Sequence, residues 1–283
     1  MAYGVNAPFG LRAISSITGG SWTEKVNEYY IYASADGATT YGTSIFTDDP
    51  VVFTPTAANI AVNPYGFITR YLPAFGDGTP STFSELPLLG TFKGCQYTLP
   101  NGTLIKSPYW AAGTVVQAGS TIKCWVLDDP NVVFDVQVST SKNGNGDAFV
   151  AFPTFPNLNG AYAAGKNGFG GNFALNVGGG NFSGGPNNPA TGLKYPSNPA
   201  TGNTLTGQSA FYLDVNTSTA NGYNNHDYSK LVATLPLKAI GWTENPQNIA
   251  APGQTMSTTP FLNVRVIINN HVYGHNTAGT TLA

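Results

Sequence analysis

LLGTFKGCQYTLPNGTLIKSPYWAAGTVVQAGSTIKCWVLDDPNVVFDVQV, residues 88–138, is the stretch that decides the fold. Apolar and β-branched residues come in short runs. Turn-forming residues fall between them, at Pro100-Asn101-Gly102 and Gln117-Ala118-Gly119. Proline presets φ for a turn and glycine accepts φ > 0, so these positions end strands rather than continue them. Over residues 132–138, Phe134, Val136 and Val138 alternate with Val133, Asp135 and Gln137. That period of two sends successive side chains to opposite faces of a half-buried antiparallel strand. The pattern continues outward. Residues 26–33, VNEYYIYA, are rich in β-formers. Residues 261–269 put Leu262, Val264, Val266 and Ile268 on one face and Asn263, Arg265 and Asn269 on the other, with Ile267 out of phase. Further turns are marked by Asn143-Gly144-Asn145-Gly146 and Ala251-Pro252-Gly253. Helical signals are confined to residues 81–86, where Ser81 can cap and Glu85 falls in the first turn. Many short strands with Gly/Pro turns predict an all-β fold with an antiparallel sandwich or barrel core.

The 283 residues suffice for a sizeable core. Charged residues make up only 9% and hydrophobic ones 41%. An average soluble protein carries roughly 25% charged residues. Here Gly, Asn, Thr, Ser and Pro take their place, so the surface is polar without being ionic. Such a surface suits a protein packed against copies of itself or a partner. The net charge of −2 supplies no basic field for a phosphate backbone, so nucleic acid is not an expected partner. No run approaches the roughly 18 apolar residues of a membrane span, and the first residues lack the basic and apolar regions of a secretory signal. Without such a signal, Cys95 and Cys124 are expected to be reduced, with a disulfide between them as the alternative.

Two segments stand apart. Residues 157–207 hold 13 Gly and 10 Asn, with Lys166 and Lys194 as their only charges, and NPATG occurs at 188–192 and again at 198–202. This composition predicts an excursion, held by neighbouring subunits or packed on its own domain through Tyr162, Phe169, Phe173, Phe182 and Tyr195. Residues 1–12, with Gly4, Pro8 and Gly10, are apolar enough to bury but carry no helix or strand period. The expected organisation is an extended N-terminal arm over 1–20, a β-rich core over 21–156 and 208–283, and a Gly/Asn-rich insertion over 157–207. One echo runs through the core: Asp48-Asp49-Pro50-Val51-Val52-Phe53 is similar to Asp128-Asp129-Pro130-Asn131-Val132-Val133-Phe134. It reads either as a turn chemistry used twice or as a duplicated strand-turn unit.

Catalytic constellations are scarce. His271 and His275 lie at i, i+4, but after a strand and around Gly274. On a strand they stand about 13 Å apart, too far to share a metal; His226-Asp227 stands alone. Asp48-Asp49 and Asp128-Asp129 are adjacent pairs whose side chains diverge, whereas glycoside hydrolysis needs carboxyls roughly 5–10 Å apart facing one sugar. They read as turn caps before proline. No nucleophile elbow, phosphate loop, H-E-x-x-H or C-x-x-C motif occurs, and Gly168-Phe169-Gly170-Gly171 lacks a βαβ setting. Trp22, Tyr29, Tyr30, Tyr32, Tyr109, Trp110 and Trp242 could stack on sugars, but in an all-β chain such residues belong mainly to cores and interfaces. No enzyme activity, cofactor or metal is expected.

The opening Asn6-Ala7-Pro8-Phe9-Gly10-Leu11-Arg12 resembles the N-terminal signature of a family of tailed-bacteriophage virion structural proteins, the head decoration or cement type. The blocks Gly90-Thr91-Phe92-Lys93-Gly94-Cys95-Gln96-Tyr97, Ser107-Pro108-Tyr109-Trp110 and the stretch from Asp128 to Gln137 are similar to its middle, and LPLKAIG at 235–241 and VIINNH at 266–271 to its end. Residues 157–207 match nothing in it. The resemblance implies a non-enzymatic protein on the capsid exterior, assembled in the host bacterial cytoplasm. Its partners would be the major capsid protein and itself, as a homotrimer in preference to a dimer. It would bridge shell subunits by adding buried area at each joint. Val5, Asn6, Pro8, Phe9, Leu11 and Arg12 of the arm, with Phe169, Phe173 and Phe182 of the insertion, are then the expected contacts with capsid or neighbour. On this reading the arm lies on another polypeptide, and removing residues 1–12 leaves the fold intact. The alternative is a receptor- or glycan-binding tail or fibre component, marked by aromatic and Asp/Asn side chains converging on one site. The shell subunit itself is excluded by the lack of an amphipathic run of about 20 residues for its spine helix.

Overall fold

The computed structural model describes residues 8–19, 23–54, 66–71, 87–137, 172–177, 206–214, 236–243 and 263–274. Among these there is no helix, and every paired strand is antiparallel to its neighbour. The expected helix at 81–86 lies outside the described residues. The all-β expectation holds.

Among the described residues, twelve strands form two sheets. They are β1 (Arg12–Ser16), β2 (Asn27–Ile31), β3 (Pro50–Phe53), β4 (Ile68–Arg70), β5 (Gly90–Thr98), β6 (Leu104–Ser107), β7 (Ile122–Leu127), β8 (Val132–Gln137), β9 (Asn172–Val177), β10 (Phe211–Asp214), β11 (Leu237–Trp242) and β12 (Asn263–Ile268). The first sheet runs β1-β8-β12-β11-β9-β10; the second runs β2-β7-β5-β3-β4, with β6 also paired to β5. The second sheet bends back on itself. Tyr30 bridges Phe67, and the Tyr30 amide donates to the Gly66 carbonyl at 3.0 Å, which brings β4 round to β2. A sheet closed this way has an interior that side chains must fill. Ile31, Val51, Ile68, Phe92, Cys95, Cys124 and Val126 fill it, with Ile45, Trp110 and Val116 packed in from the loops. The first sheet packs Phe134, Val136, Leu175, Leu213, Leu237, Val264 and Val266 against Val52, Leu88 and Leu127 of the second. Each such aliphatic or phenyl side chain taken fully from water contributes about 1.5–3 kcal/mol.

The stretch 88–138 supplies the join. β5, β6 and β7 belong to the second sheet, and β8 to the first, so the chain changes sheet at Asp128–Asn131. Pro100-Asn101-Gly102 makes the β5–β6 hairpin: Gly102 sits at φ +83° and its amide bonds the Leu99 carbonyl at 2.9 Å. Two backbone seams stitch the sheets further. Thr47 pairs with 207–209, and Leu88 lies beside His271, with Leu88 N–H to Asn270 C=O at 2.8 Å and Val272 N–H to Leu88 C=O at 2.9 Å.

Three expectations change. Residues 12–16 are not part of a free arm but an edge strand, with Arg12 opposite Asp135 and Ser16 opposite Val132. The insertion is not wholly an excursion, because its residues 172–177 form β9, between β11 and β10, with Leu175 buried in the core. The alternation of Phe173, Leu175 and Val177 with Asn172, Ala174 and Asn176 was legible, but the surrounding glycines masked it. β8 is buried on both faces rather than half-buried, since Val133, Asp135 and Gln137 are as covered as Phe134 and Val136. The two copies of the Asp-Asp-Pro echo lead into β3 of the second sheet and β8 of the first.

Candidate functional site: the anchored N-terminal segment and a polar seam

Gly10 and Leu11 fasten the N-terminal segment to its own domain. The Gly10 amide bonds the Phe211 carbonyl at 3.0 Å, and the Leu11 amide bonds the Asp48 carbonyl at 2.9 Å. Gly10 is at φ +80°, and a Cβ there would stand 2.3 Å from the Asp48 oxygen and 2.6 Å from Ser209. Only glycine allows this approach. Leu11 is fully buried in the core of the first sheet. Pro8 is buried as well, and the Arg12 guanidinium lies 4.5 Å over the Phe9 ring and 3.4 Å from Asp135. Asp135 also accepts from Thr243 Oγ1. Beyond this anchor Ile14 and Ile17 face solvent. The ladder slips between Ala13 and Ser15, a bulge that blunts an otherwise open sheet edge.

Of the expected contact residues, then, Leu11 serves the protein's own core, because Gly10 lets the chain lie against Asp48 and Ser209, and Pro8 is buried beside it. Phe9 and Arg12 are half-exposed beside them. Phe173 falls on β9 opposite Leu237. Val5, Asn6, Phe169 and Phe182 lie outside the described residues. Removing residues 1–12 would therefore cut into the core.

Asp48 and Asp49 diverge, as expected. Asp48 is held at φ 67°, in the left-handed region, by the Leu11 amide on its carbonyl and by its own amide on Phe92 at 2.8 Å. Its carboxylate meets Lys93 Nζ at 2.7 Å, and Lys93 also pairs with Glu24. Lys93 reaches them because β5 bulges between Phe92 and Gly94. Asp49 turns inward and is fully buried. It forms an ion pair with Arg70, Nε standing 2.7 Å from its carboxylate, and accepts hydrogen bonds from the Phe46 amide at 2.9 Å and Ser209 Oγ at 2.5 Å. Burial raises its carboxyl to about 6, against the pull of Arg70. The Arg70 guanidinium lies 4.7 Å over the Phe211 ring, so this ion pair ties the second sheet to β10 of the first.

A second polar cluster lies where β7 turns toward β8. Asp128 accepts from Asn27 Nδ2 at 2.9 Å on both oxygens and from the Tyr29 hydroxyl at 2.6 Å. The Tyr29 and Tyr273 hydroxyls are 3.2 Å apart. His271 completes the cluster: its Nδ1 accepts the Tyr273 amide at 2.9 Å, while its Nε2 is buried without a hydrogen-bond partner. Burial lowers His271 to about 4, although Asp128, Asp129 and the Leu89 backbone favour the charged ring. Burial and the bond to Asp128 raise the Tyr29 phenol. Asp129 does cap its turn, accepting the Asn131 amide at 2.8 Å. Sequence reasoning missed the Asn27–Tyr29–Asp128–Tyr273 cluster. Its members lie in three distant parts of the chain, and only the polar Asn-x-Tyr at the start of β2 hinted at it.

Chemically, the cluster is built to hold itself together: each carboxylate oxygen of Asp128 already has its donors. Among the described residues, no three His, Cys, Asp or Glu side chains stand close enough to hold a metal ion. His275 and His226 lie outside them. Trp110 and Tyr29 are core residues, and Tyr109 stacks on Phe46 at 5.4 Å. Tyr30 and Tyr32 instead flank Phe67 at 6.4 and 6.3 Å on the outer, half-exposed face of the second sheet, beside Glu28, Lys123 and Trp125. Trp22 and the Trp242 side chain are not among the described parts. No protein-family model, curated protein or solved structure matches the chain.

Proposed function

We propose that this chain is a non-enzymatic virion protein of the head decoration or cement type, clamping the major capsid protein from outside the shell in many copies. The resemblance of its opening, middle and closing motifs points to that family, and its charge-poor composition suits permanent packing against protein. The anchor at Gly10 and Leu11 carries the reading. A cement protein must pass load from its grip to its core. Here the seven residues MAYGVNA precede a point where the backbone is bonded to Asp48 and Phe211 and Leu11 is sunk in the core. Tension on those residues reaches both sheets. Ile14, exposed on the adjoining edge strand, and Ile17, exposed in the turn just after it, extend the apolar contact available to a neighbour. The homotrimer is the favoured assembly, because it matches the three-fold positions of an icosahedral lattice.

The test is binding of tagged protein to purified heads of the encoding phage. The chain with residues 1–283 should bind saturably, in fixed ratio to the capsid subunit, and raise the temperature at which heads release DNA. A chain lacking residues 1–7 should keep the same melting temperature in solution and lose head binding. Undiminished binding by the shortened chain, or labelling at the tail alone, would overturn the proposal.

A second reading has one observation in its favour. Tyr30, Tyr32, Phe67 and Trp125 form a half-exposed aromatic face next to Glu28 and Lys123, as a glycan-binding tail or fibre component would need. Tail-localised label, together with loss of host-cell binding in Tyr30→Ala/Tyr32→Ala, would favour it over the cement role.

A further inference from the structure

Cys95 and Cys124 are 29 positions apart in sequence but directly opposite each other on β5 and β7. Both are free thiols and both are fully buried inside the second sheet. Opposed residues of antiparallel strands have Cα atoms about 4.5 or 5.5 Å apart, according to the pair type. Both spacings lie within the range a disulfide spans, roughly 4.4–6.8 Å. The two side chains share the interior face, along with Phe92 and Val126. Cys95 Sγ currently donates to the Tyr109 carbonyl at 3.5 Å, a weak contact that a rotation about χ1 gives up.

We propose that Cys95 and Cys124 are a cross-strand disulfide site that oxidants reach only through the unfolded or opened chain, so that the folded sheet preserves whichever redox state it folded in. The chemistry is thiol–disulfide exchange with a small disulfide such as oxidised glutathione. One protein thiolate attacks the glutathione disulfide and releases one glutathione thiol. The second protein thiolate then displaces the other glutathione, forming the Cys95–Cys124 bond. Two protein thiols are oxidised, one disulfide is reduced to two thiols, and the protons pass to the released glutathione. In the folded protein this path is closed at its first step. The thiolate is the attacking species, and burial pushes Cys95 up to about 12 and Cys124 well above its ordinary value. The packed neighbours Phe92, Trp110 and Val126 also leave no approach for a tripeptide disulfide. In the unfolded chain both thiols regain ordinary acidity and access. Once formed, the bond would cross-link β5 to β7 and remove closure entropy from the unfolded state.

The experiment follows thiols by intact mass after alkylation in denaturant. Reduced native protein held with oxidised glutathione should keep both alkylatable thiols. The same protein unfolded and refolded with oxidised and reduced glutathione should lose both, with the mass of two hydrogens missing and no glutathione attached. The refolded species should unfold at higher urea than the reduced one. Refolded chain that keeps two free thiols, or carries glutathione adducts or intermolecular links, would overturn the site. Oxidation of native protein as fast as of unfolded protein would overturn the shielding. If refolding is inefficient, export of the chain to an oxidising bacterial periplasm provides the same mass reading, with the same two outcomes.

Discussion

Replacing His271 by Asn should remove a block of acid sensitivity from this fold. His271 is 3% exposed, and its Nδ1 accepts the Tyr273 amide, which puts the ring proton on Nε2. Protonation would make Nδ1 a donor, break that bond and place a charge in a buried seam beside Leu88. The folded protein therefore resists it until about pH 4, whereas the unfolded histidine takes its proton near 6.5. Because the folded value is the lower one, the stabilisation is fully present above 6.5 and is lost as pH falls toward 4. The gap between 6.5 and about 4, at about 1.36 kcal/mol per pH unit, amounts to roughly 3 kcal/mol. Asn at this position keeps an acceptor for the Tyr273 amide and cannot titrate. The assay is urea unfolding of both proteins at pH 7 and pH 4. The stability difference between wild type and His271→Asn should move by about 3 kcal/mol between the two conditions, in favour of the variant at pH 4. Asp49 pulls the other way. Burial raises its carboxyl to about 6, so protonating it favours the folded state as pH falls below that value. It is present in both proteins and cancels from the comparison, which is why the comparison and not the wild-type profile is decisive. Parallel profiles, agreeing within about 0.5 kcal/mol, would refute the reasoning.

Gly10→Ala should destabilise the domain by roughly 2–4 kcal/mol, since an L side chain at positive φ and a Cβ pressed on backbone both carry a cost; chemical denaturation measures it, and the amides of Gly10 and Leu11 should lose hydrogen-exchange protection first. Arg70→Met should cost about 3–5 kcal/mol by leaving Asp49 buried without its counter-ion. Asp49→Asn added to that variant should recover part of the loss, read by the same urea titration, and no recovery would mean that Arg70 acts through its packing on Phe211 rather than its charge.

Local patterning carried the fold class. The alternation at 132–138 and 261–269 becomes β8 and β12 almost residue for residue, and the β-formers at 26–33 become β2, because a period of two needs nothing beyond neighbouring residues to be read. Composition and the Pro-Asn-Gly turn likewise required only the chain itself. The Asp129 cap before Asn131 was legible for the same reason. Three-dimensional packing decided everything that joins distant segments. The N-terminal segment has no period of its own and becomes part of the core only because Gly10 can lie against Asp48 and Ser209. β9 is recruited from Gly- and Asn-rich surroundings by pairing with β10 and β11. Asp49 and Asp128 become an inter-sheet ion pair and a tyrosine-bound seam because Arg70, Asn27 and Tyr29 arrive from other strands. Cys95 and Cys124 become opposite numbers by register alone. Propensity acts over a few residues, so it could name the strands. Hydrogen-bond register and burial act across the whole chain, so they alone decided which side chains meet.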